Sequence, residues 1–216
     1  HWAVKNLELT KQLGMTGVYF DTLPAWPEES FEPGNECGRE EAIEYRIRLL
    51  RHYQEAGFYT GAEGGKAWNM PNTDWIPANR KPGPPGTSPP LFGLVFHDAV
   101  FGLTHMGAPG PNGEITPQMK RRCLEIMLQG WGGTFRGFSR ETWPTWKKAF
   151  PHTLFVDEWQ GKVALAEMTN HEYATPDGLV ERTEWSSGQR ITVNLGDEPA
   201  EVDGQVIEPL EYRVDE

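Results

Sequence analysis

Gly17-Val18-Tyr19-Phe20-Asp21 decides how the rest of the chain is read. The run is short and apolar, carries β-branched and aromatic side chains that suit a pleated surface, and ends in a carboxylate followed by loop residues. Read as a parallel strand, it sets Asp21 at its C-terminal end, the edge where α/β proteins place their working residues. Two later stretches repeat the design. Phe58 to Glu63 is followed by Gly64-Gly65, and Leu91 to Phe96 leads into His97-Asp98.

Working outward, Trp2 to Leu13 reads as an amphipathic helix stopped by Gly14, so that a helix precedes the first strand over 17–23. A loop rich in Pro and acid, Pro24 to Glu36, follows and includes Trp26; long loops after strands are commonly binding loops. Arg39 to Ala56 is strongly helical, with Ile43, Ile47, Leu50 and Tyr53 on one face and Gly57 as its stop. The second strand, 58–63, is followed by a loop from Gly64 to Pro90 that holds Trp68, Asn69 and Trp75 and becomes proline-rich, hence extended and stiff, from Lys81. The third strand is expected over 91–98, whose nearly continuous apolar run fits a strand buried on both faces. Phe101 to Asn112 reads as another loop rich in Gly and Pro, and Thr116 as N-cap and Pro117 at the first helical position then open a helix that runs to Gly130. A weaker strand lies within Gly132 to Phe138, and Arg140 to Ala149 reads as a further helix.

Beyond about residue 160 the period changes from helical to alternating. Val163 to Ala166, Leu179 to Trp185, Arg190 to Leu195 and Glu211 to Val214 read as strands separated by turns at Asp177-Gly178, Ser187-Gly188 and Asp203-Gly204. The expected fold class is therefore α/β, a partial (half) TIM-type (β/α) barrel over 1–155 followed by a small antiparallel β-sheet over 156–216. The first part holds about four strand and helix units, whereas a full eightfold barrel takes about 250 residues.

The formal net charge of −11 argues against nucleic acid or an anionic membrane surface as a partner, since phosphates are bound by clustered Lys and Arg. No run of about 18 apolar residues suggests a membrane span. Without a G-x-G-x-x-G or P-loop pattern no nucleotide cofactor is expected, and without HxxxH or CxxC no zinc site. Cys37 and Cys123 could pair in a secreted protein, but Cys123 falls in a helix and reads as a buried free thiol. A chain that opens with His1-Trp2 inside a helical pattern looks like a processed or truncated product.

Acids at neighbouring strand ends fit the cleavage of glycosidic bonds. A retaining route needs one carboxylate to attack the anomeric carbon and a second acid, about 5 Å away, to protonate the leaving oxygen. Asp21, short and placed after an aromatic strand, fits the nucleophile. Glu63, with a longer arm and two glycines behind it, fits the acid and base. Asp98 is an alternative acid or a holder of sugar hydroxyls. Each of the three can instead be a turn or capping residue. Tyr19, Trp26, Trp68, His97 and Trp131 are the candidates for contact with substrate; the indoles offer platforms for sugar rings, in competition with simple core packing. His97 and His105 could join Asp98 around a metal, but a lone His at a strand end more often packs and hydrogen-bonds.

The succession GVYFDTLPAW, ECGREEAIEYRIRLL, GFYTGAEGGKAW, PPLFGLVFHDAV and ERTEWSSGQRITVNLG resembles the latter half of barrel glycoside hydrolases. It is similar to the group related to endo-α-N-acetylgalactosaminidases and, more distantly, to the α-galactosidase clan. The resemblance implies a barrel followed by a β-sandwich, a carbohydrate substrate, Asp21 as nucleophile and Glu63 as acid and base. It also implies barrel strands before the nucleophile strand. A half-barrel leaves strand edges unpaired, so a homo-oligomer or a missing N-terminal half-barrel is expected to cover them. The competing expectation is a non-catalytic carbohydrate-binding or remnant barrel domain.

Overall fold

The computed structural model describes residues 2–22, 26–77, 89–135, 137 and 139–215. The chain forms two compact units, 1–79 and 80–216. Leu23, the end of the first expected strand, and 81–88 of the proline-rich stretch lie outside the described residues, as does Phe138.

In the first unit, helix α1 (Trp2–Gln12) precedes strand β1 (Gly17–Phe20), and helix α2 (Arg39–Glu55) leads to strand β2 (Tyr59–Ala62). β1 and β2 pair in parallel, with Gly17 opposite Tyr59 and Phe20 opposite Ala62. Alternation along β1 puts Val18 and Phe20 on one face, where they pack against Leu7 of α1, Tyr53 of α2 and Phe58. The rings of Phe20 and Phe58 meet that of Tyr53 edge-on, at 5.2 and 5.9 Å between centroids. Strand β3 (Trp75–Pro77) joins in parallel beside β2, with Trp75 opposite Gly61.

The second unit begins with helix α3 (Leu91–Phe96) and strand β4 (Phe101–His105), continues through helix α4 (Pro117–Leu128) and strand β5 (Gly132–Thr134), and then through helices α5 (Trp143–Ala149) and α6 (Leu154–Val163). β4 and β5 are parallel. Strands β6 (Met168–Tyr173), β7 (Val180–Trp185), β8 (Arg190–Asn194) and β11 (Tyr212–Asp215) form an antiparallel sheet in the order β11-β8-β7-β6. A hairpin of β9 (Ala200–Val202) and β10 (Gln205–Ile207) turns at Asp203-Gly204. Both turn residues have positive φ, 55° and 73°, as a tight hairpin of this kind needs. The architecture is thus five parallel strands alternating with helices, a partial barrel, together with an antiparallel sheet.

Helix α4 holds the second unit together. The Thr116 side chain accepts a hydrogen bond from the Met119 N–H at 3.1 Å, the cap read from the sequence. Its buried face, Cys123, Leu124, Met127 and Leu128, packs toward α6, whose Trp159 Nε1 donates to the Met127 carbonyl at 2.8 Å. From its polar side Lys120 pairs with Glu211, and Arg121 reaches the Leu195 carbonyl and, at 3.1 Å, Asp197. One helix therefore serves both the parallel strands and the antiparallel sheet.

Three readings of the sequence are corrected. The expected third strand, Leu91 to Asp98, is α3 and a turn, and the strand is Phe101 to His105, in a stretch read as loop. A short continuous apolar run does not distinguish a strand from a buried helix. Gly102 resembled a loop signal but serves close packing: a Cβ there would lie 2.4 Å from Trp131 Cδ1. Val163 to Ala166 is the end of α6 and a turn rather than a strand, and the first strand of the antiparallel sheet is β6. β3 stands in the loop after β2, where no strand was expected.

Both cysteines are free. Burial, and after it the Asp157 carboxylate, pushes the Cys123 thiol up to about 12. Because only the thiolate attacks disulfides, native Cys123 is expected to ignore an aromatic disulfide reagent at pH 8 while Cys37, half-buried, reacts. Unfolding in urea exposes both. In the unfolded chain the thiol ionises near 8.5, so Cys123 makes the fold less stable as pH rises from there toward 12. Rapid labelling of native Cys123 would refute this placement.

Candidate active site

Asp21 and Glu63 each follow a residue of the paired strands, Phe20 and Ala62, which stand opposite one another. The ladder continues past them, with the Glu63 N–H donating to the Phe20 carbonyl at 3.1 Å. The Thr22 N–H donates to Glu63 Oε2 at 2.9 Å, tying the turn behind one acid to the carboxylate of the other. Thr22 has a φ of 55°, uncommon for a β-branched residue. That backbone aims its N–H at Glu63. Asp21 is exposed and Glu63 half-buried.

With Val18 and Phe20 committed to the helix side, Tyr19 and Asp21 share the other face of β1, next to Gly61 and Glu63 of β2. Tyr19 stacks on Trp75, with 5.0 Å between centroids and 21° between planes. The indole crosses directly over Gly61, where a Cβ would lie 2.2 Å from Trp75 Cε2. Partial burial, and then the charges of Glu63 and Asp21, pushes the Tyr19 phenol up to about 12, although the side chain is 41% exposed.

The loop after β2 is held by Asn69, which is fully buried. Its Oδ1 accepts from the Lys66 N–H at 3.0 Å and its Nδ2 donates to the Gly64 carbonyl at 3.4 Å. This fixes the backbone behind Glu63 and carries Lys66 and Trp68 outward, Lys66 exposed and Trp68 half-buried. The Lys66 ammonium lies 5.8 Å from the centre of the Trp26 ring. Arg46 of α2 donates to the Trp26 carbonyl at 3.0 Å, and the Trp26 side chain is 68% exposed. Two acids, three indoles, a phenol and an ammonium are thus carried on the strands and loops of the first unit.

The remaining sequence candidates stand elsewhere. His97 is buried, with Nδ1 2.7 Å from the Ala166 carbonyl and Nε2 3.1 Å from the Gly130 carbonyl, and its ring meets Trp185 at 4.4 Å. It is a packing residue that binds α3 to the antiparallel sheet. Asp98 is exposed on the turn after α3, before the N-terminal end of β4 and not at the C-terminal end of a strand. Trp131 is buried just before β5, against Phe92 and over Gly102. His97 and Asp98 were misplaced by the reading of Leu91 to Asp98 as a strand, whereas Trp131, expected as an aromatic platform, is buried in packing. Sequence reading missed Trp75, Gly61, Thr22 and Lys66. Only the alternation from Glu63 back to Gly61 marked any of them.

Neither a protein-family model nor a curated protein sequence matches the chain. Among solved structures the chain is similar in fold to part of an α-N-acetylgalactosaminidase. In particular it is similar to α-N-acetylgalactosaminidase NagBb from Bifidobacterium bifidum in complex with GalNAc, with a TM-score of 0.73 and 18% identity over 100% of this chain and 34% of that one. The ligand-free form of NagBb gives 0.71 and 19% identity over 89% and 32%. A quadruple mutant gives 0.71 and 20% over 94% and 33%. The chain spans about a third of the length of these proteins, and the likeness is one of fold.

Two substitutions check these placements. Gly61→Ala is expected to expel the Trp75 indole from its seat, visible as loss of near-ultraviolet circular dichroism and a red shift in tryptophan emission; an unchanged spectrum would contradict the stack. His97→Leu removes the ring that sits between the Ala166 and Gly130 carbonyls, with the one N–H a neutral imidazole donates there, and is expected to cost about 1 to 3 kcal/mol in urea unfolding. A stability equal to that of the parent would contradict the packing role.

Proposed function

We propose that the chain is the nucleophile-bearing part of a glycoside hydrolase that cleaves oligosaccharides or polysaccharides by a retaining route, with Asp21 as nucleophile and Glu63 as acid and base. The supporting observation is the placement of the two acids after paired residues of adjacent parallel strands. Neighbouring strands lie about 4.8 Å apart, which suits the separation of about 5 Å that a retaining pair needs. Asp21 attacks the anomeric carbon while Glu63 protonates the departing oxygen; Glu63 then takes the proton of the water that releases the sugar. Trp26 and Trp68 are the platforms for sugar rings, and Lys66 is a donor to hydroxyls. A net charge of −11 suits a neutral glycan. The likeness in fold to an α-N-acetylgalactosaminidase makes α-linked N-acetylgalactosamine the first substrate to try.

A second reading is favoured by the span of about a third of the NagBb chain and by the free outer edge of β1, which has no partner strand among the described residues. In it the chain is a non-catalytic carbohydrate-binding or remnant barrel domain, with a second copy or further barrel strands covering that edge. The readings separate on 4-nitrophenyl α-N-acetylgalactosaminide and α-galactoside. A hydrolase releases nitrophenol, and Asp21→Asn and Glu63→Gln each lower kcat by roughly a thousandfold or more. A binding domain shows saturable glycan binding without release. Wild-type turnover in both variants would end the assignment of Asp21 and Glu63.

A further inference from the structure

We propose that the second unit carries a sugar-binding site of its own, in which a pyranose ring lies on Phe155 and Tyr212 and its hydroxyls meet the paired side chains of Lys120 and Glu211. All of these residues belong to the second unit, and the site stands whatever the roles of Asp21 and Glu63.

A cavity of about 540 Å³ opens between the start of α4, the first turn of α6 and the start of β11. That volume lies within the range of roughly 300 to 1,000 Å³ usual for sites that take small molecules. Its apolar wall is Ile115, Phe155 and Tyr212. The two rings are nearly parallel, 16° apart, with 5.8 Å between centroids. At that distance they are offset rather than eclipsed, so the pair presents a broader apolar surface than either ring alone. The walls are set by hydrogen bonds of their own. The Lys120 N–H donates to the Thr116 carbonyl at 2.8 Å, and the Glu211 carbonyl accepts from the Asn194 N–H at 2.9 Å. Tyr212 stands opposite Val193 of β8. A helix and a sheet thus hold the two sides in place before a ligand arrives, which lowers the cost of binding one.

The charges select the class of ligand. Lys120 is paired with Glu211, and Glu114 at the rim accepts from the Asn112 N–H at 2.9 Å. No ammonium or guanidinium in the lining is left over for a phosphate, a sulfate or an acidic sugar. A wholly apolar ligand fits no better, because covering the Lys120–Glu211 pair would strip two charges of water. Their side chains are 34% and 46% exposed, open to a ligand that replaces water with hydrogen bonds. A neutral sugar has both surfaces the cavity calls for. Its C–H face covers the rings, while one hydroxyl accepts from the ammonium and its neighbour donates to the carboxylate.

The test labels the full chain with carbon-13 at the isoleucine δ1 methyls, with Ile115→Val to assign the reporter in the cavity. It is titrated with the methyl β-pyranosides of galactose, N-acetylgalactosamine and glucose, and at least one of them is expected to shift the Ile115 signal saturably. Tyr212→Ala weakens that binding roughly tenfold, the worth of an aromatic face, whereas Tyr212→Phe, which keeps the ring, stays within about threefold of the parent. Lys120→Met leaves the aromatic wall in place and also weakens binding roughly tenfold, as the loss of a hydrogen bond to a charged group does; it decides the matter if Tyr212→Ala does not fold. Trp26→Ala, in the first unit, leaves the Ile115 response unchanged. The proposal is overturned if no sugar moves the signal, if 4-cresol or benzylamine moves it and no sugar does, if Lys120→Met binds like the parent, or if Trp26→Ala abolishes the response. Turnover of nitrophenyl glycosides, or its absence, bears on the glycosidase reading alone.

Discussion

The parallel pairing of β1 with β2, Phe20 opposite Ala62, is the constraint on which the first unit depends. Parallel strands cannot be joined by a hairpin, so a crossover is obligatory, and α2 is that crossover. Its Tyr53, with Leu7 and Phe58, gives Val18 and Phe20 an apolar surface to bury. Both are partly buried there, so each contributes less than the roughly 1.5 to 3 kcal/mol of full burial. A slip of one residue would turn Val18 and Phe20 to the opposite face and lose that burial, because side chains alternate along a strand. Packing on the helix side thus fixes the register, and the register sets the two acids next to each other. The proposed chemistry on one face is a consequence of hydrophobic packing on the other.

In the second unit α4 has the corresponding part. It buries Leu124, Met127 and Leu128 completely or nearly so, while Lys120 and Arg121 reach Glu211, Leu195 and Asp197 of the antiparallel region. His97 adds a link from α3 through the Ala166 carbonyl. The antiparallel sheet carries a buried pair of its own, His171 Nε2 with Glu181 Oε2 at 2.9 Å. Such a pair is weak evidence for net stability, since desolvating both groups offsets much of their attraction. The apolar face of α4 and the core it shares with α6 stabilise this unit more than that pair does.

How much of this was legible follows from what each feature depends on. The runs 17–21 and 58–63 were readable because local alternation and an abrupt polar end are carried by consecutive residues. So was the Thr116-Pro117 helix start, since a cap is a contact over three residues. Leu91 to Phe96 was not, because an apolar run without alternation fits a buried helix as well as a strand, and its Gly93 makes room for Met168, a residue far along the chain. Trp75 was hidden for the same reason. Its place over Gly61 is set by a register between strands that no local pattern encodes. Asp98 and His97 inherited the error of the strand to which they were attached; Trp131 packs against Phe92 and over Gly102, contacts that no local pattern announces.

The two acids also differ in a way that bears on any division of labour between them. Asp21 is exposed and short; Glu63 is half-buried, longer, and held by a backbone N–H on the turn behind Asp21. Catalysis by two carboxyl groups requires that their environments be unlike, so that one stays an anion while the other carries a proton. An adjacent pair in a symmetric setting would share its protons. Here the two settings differ because Gly61 admits the Trp75 indole beside Tyr19 and the left-handed Thr22 turns its N–H to Glu63. A strand of four residues and the turn behind it therefore carry both the adjacency and the difference.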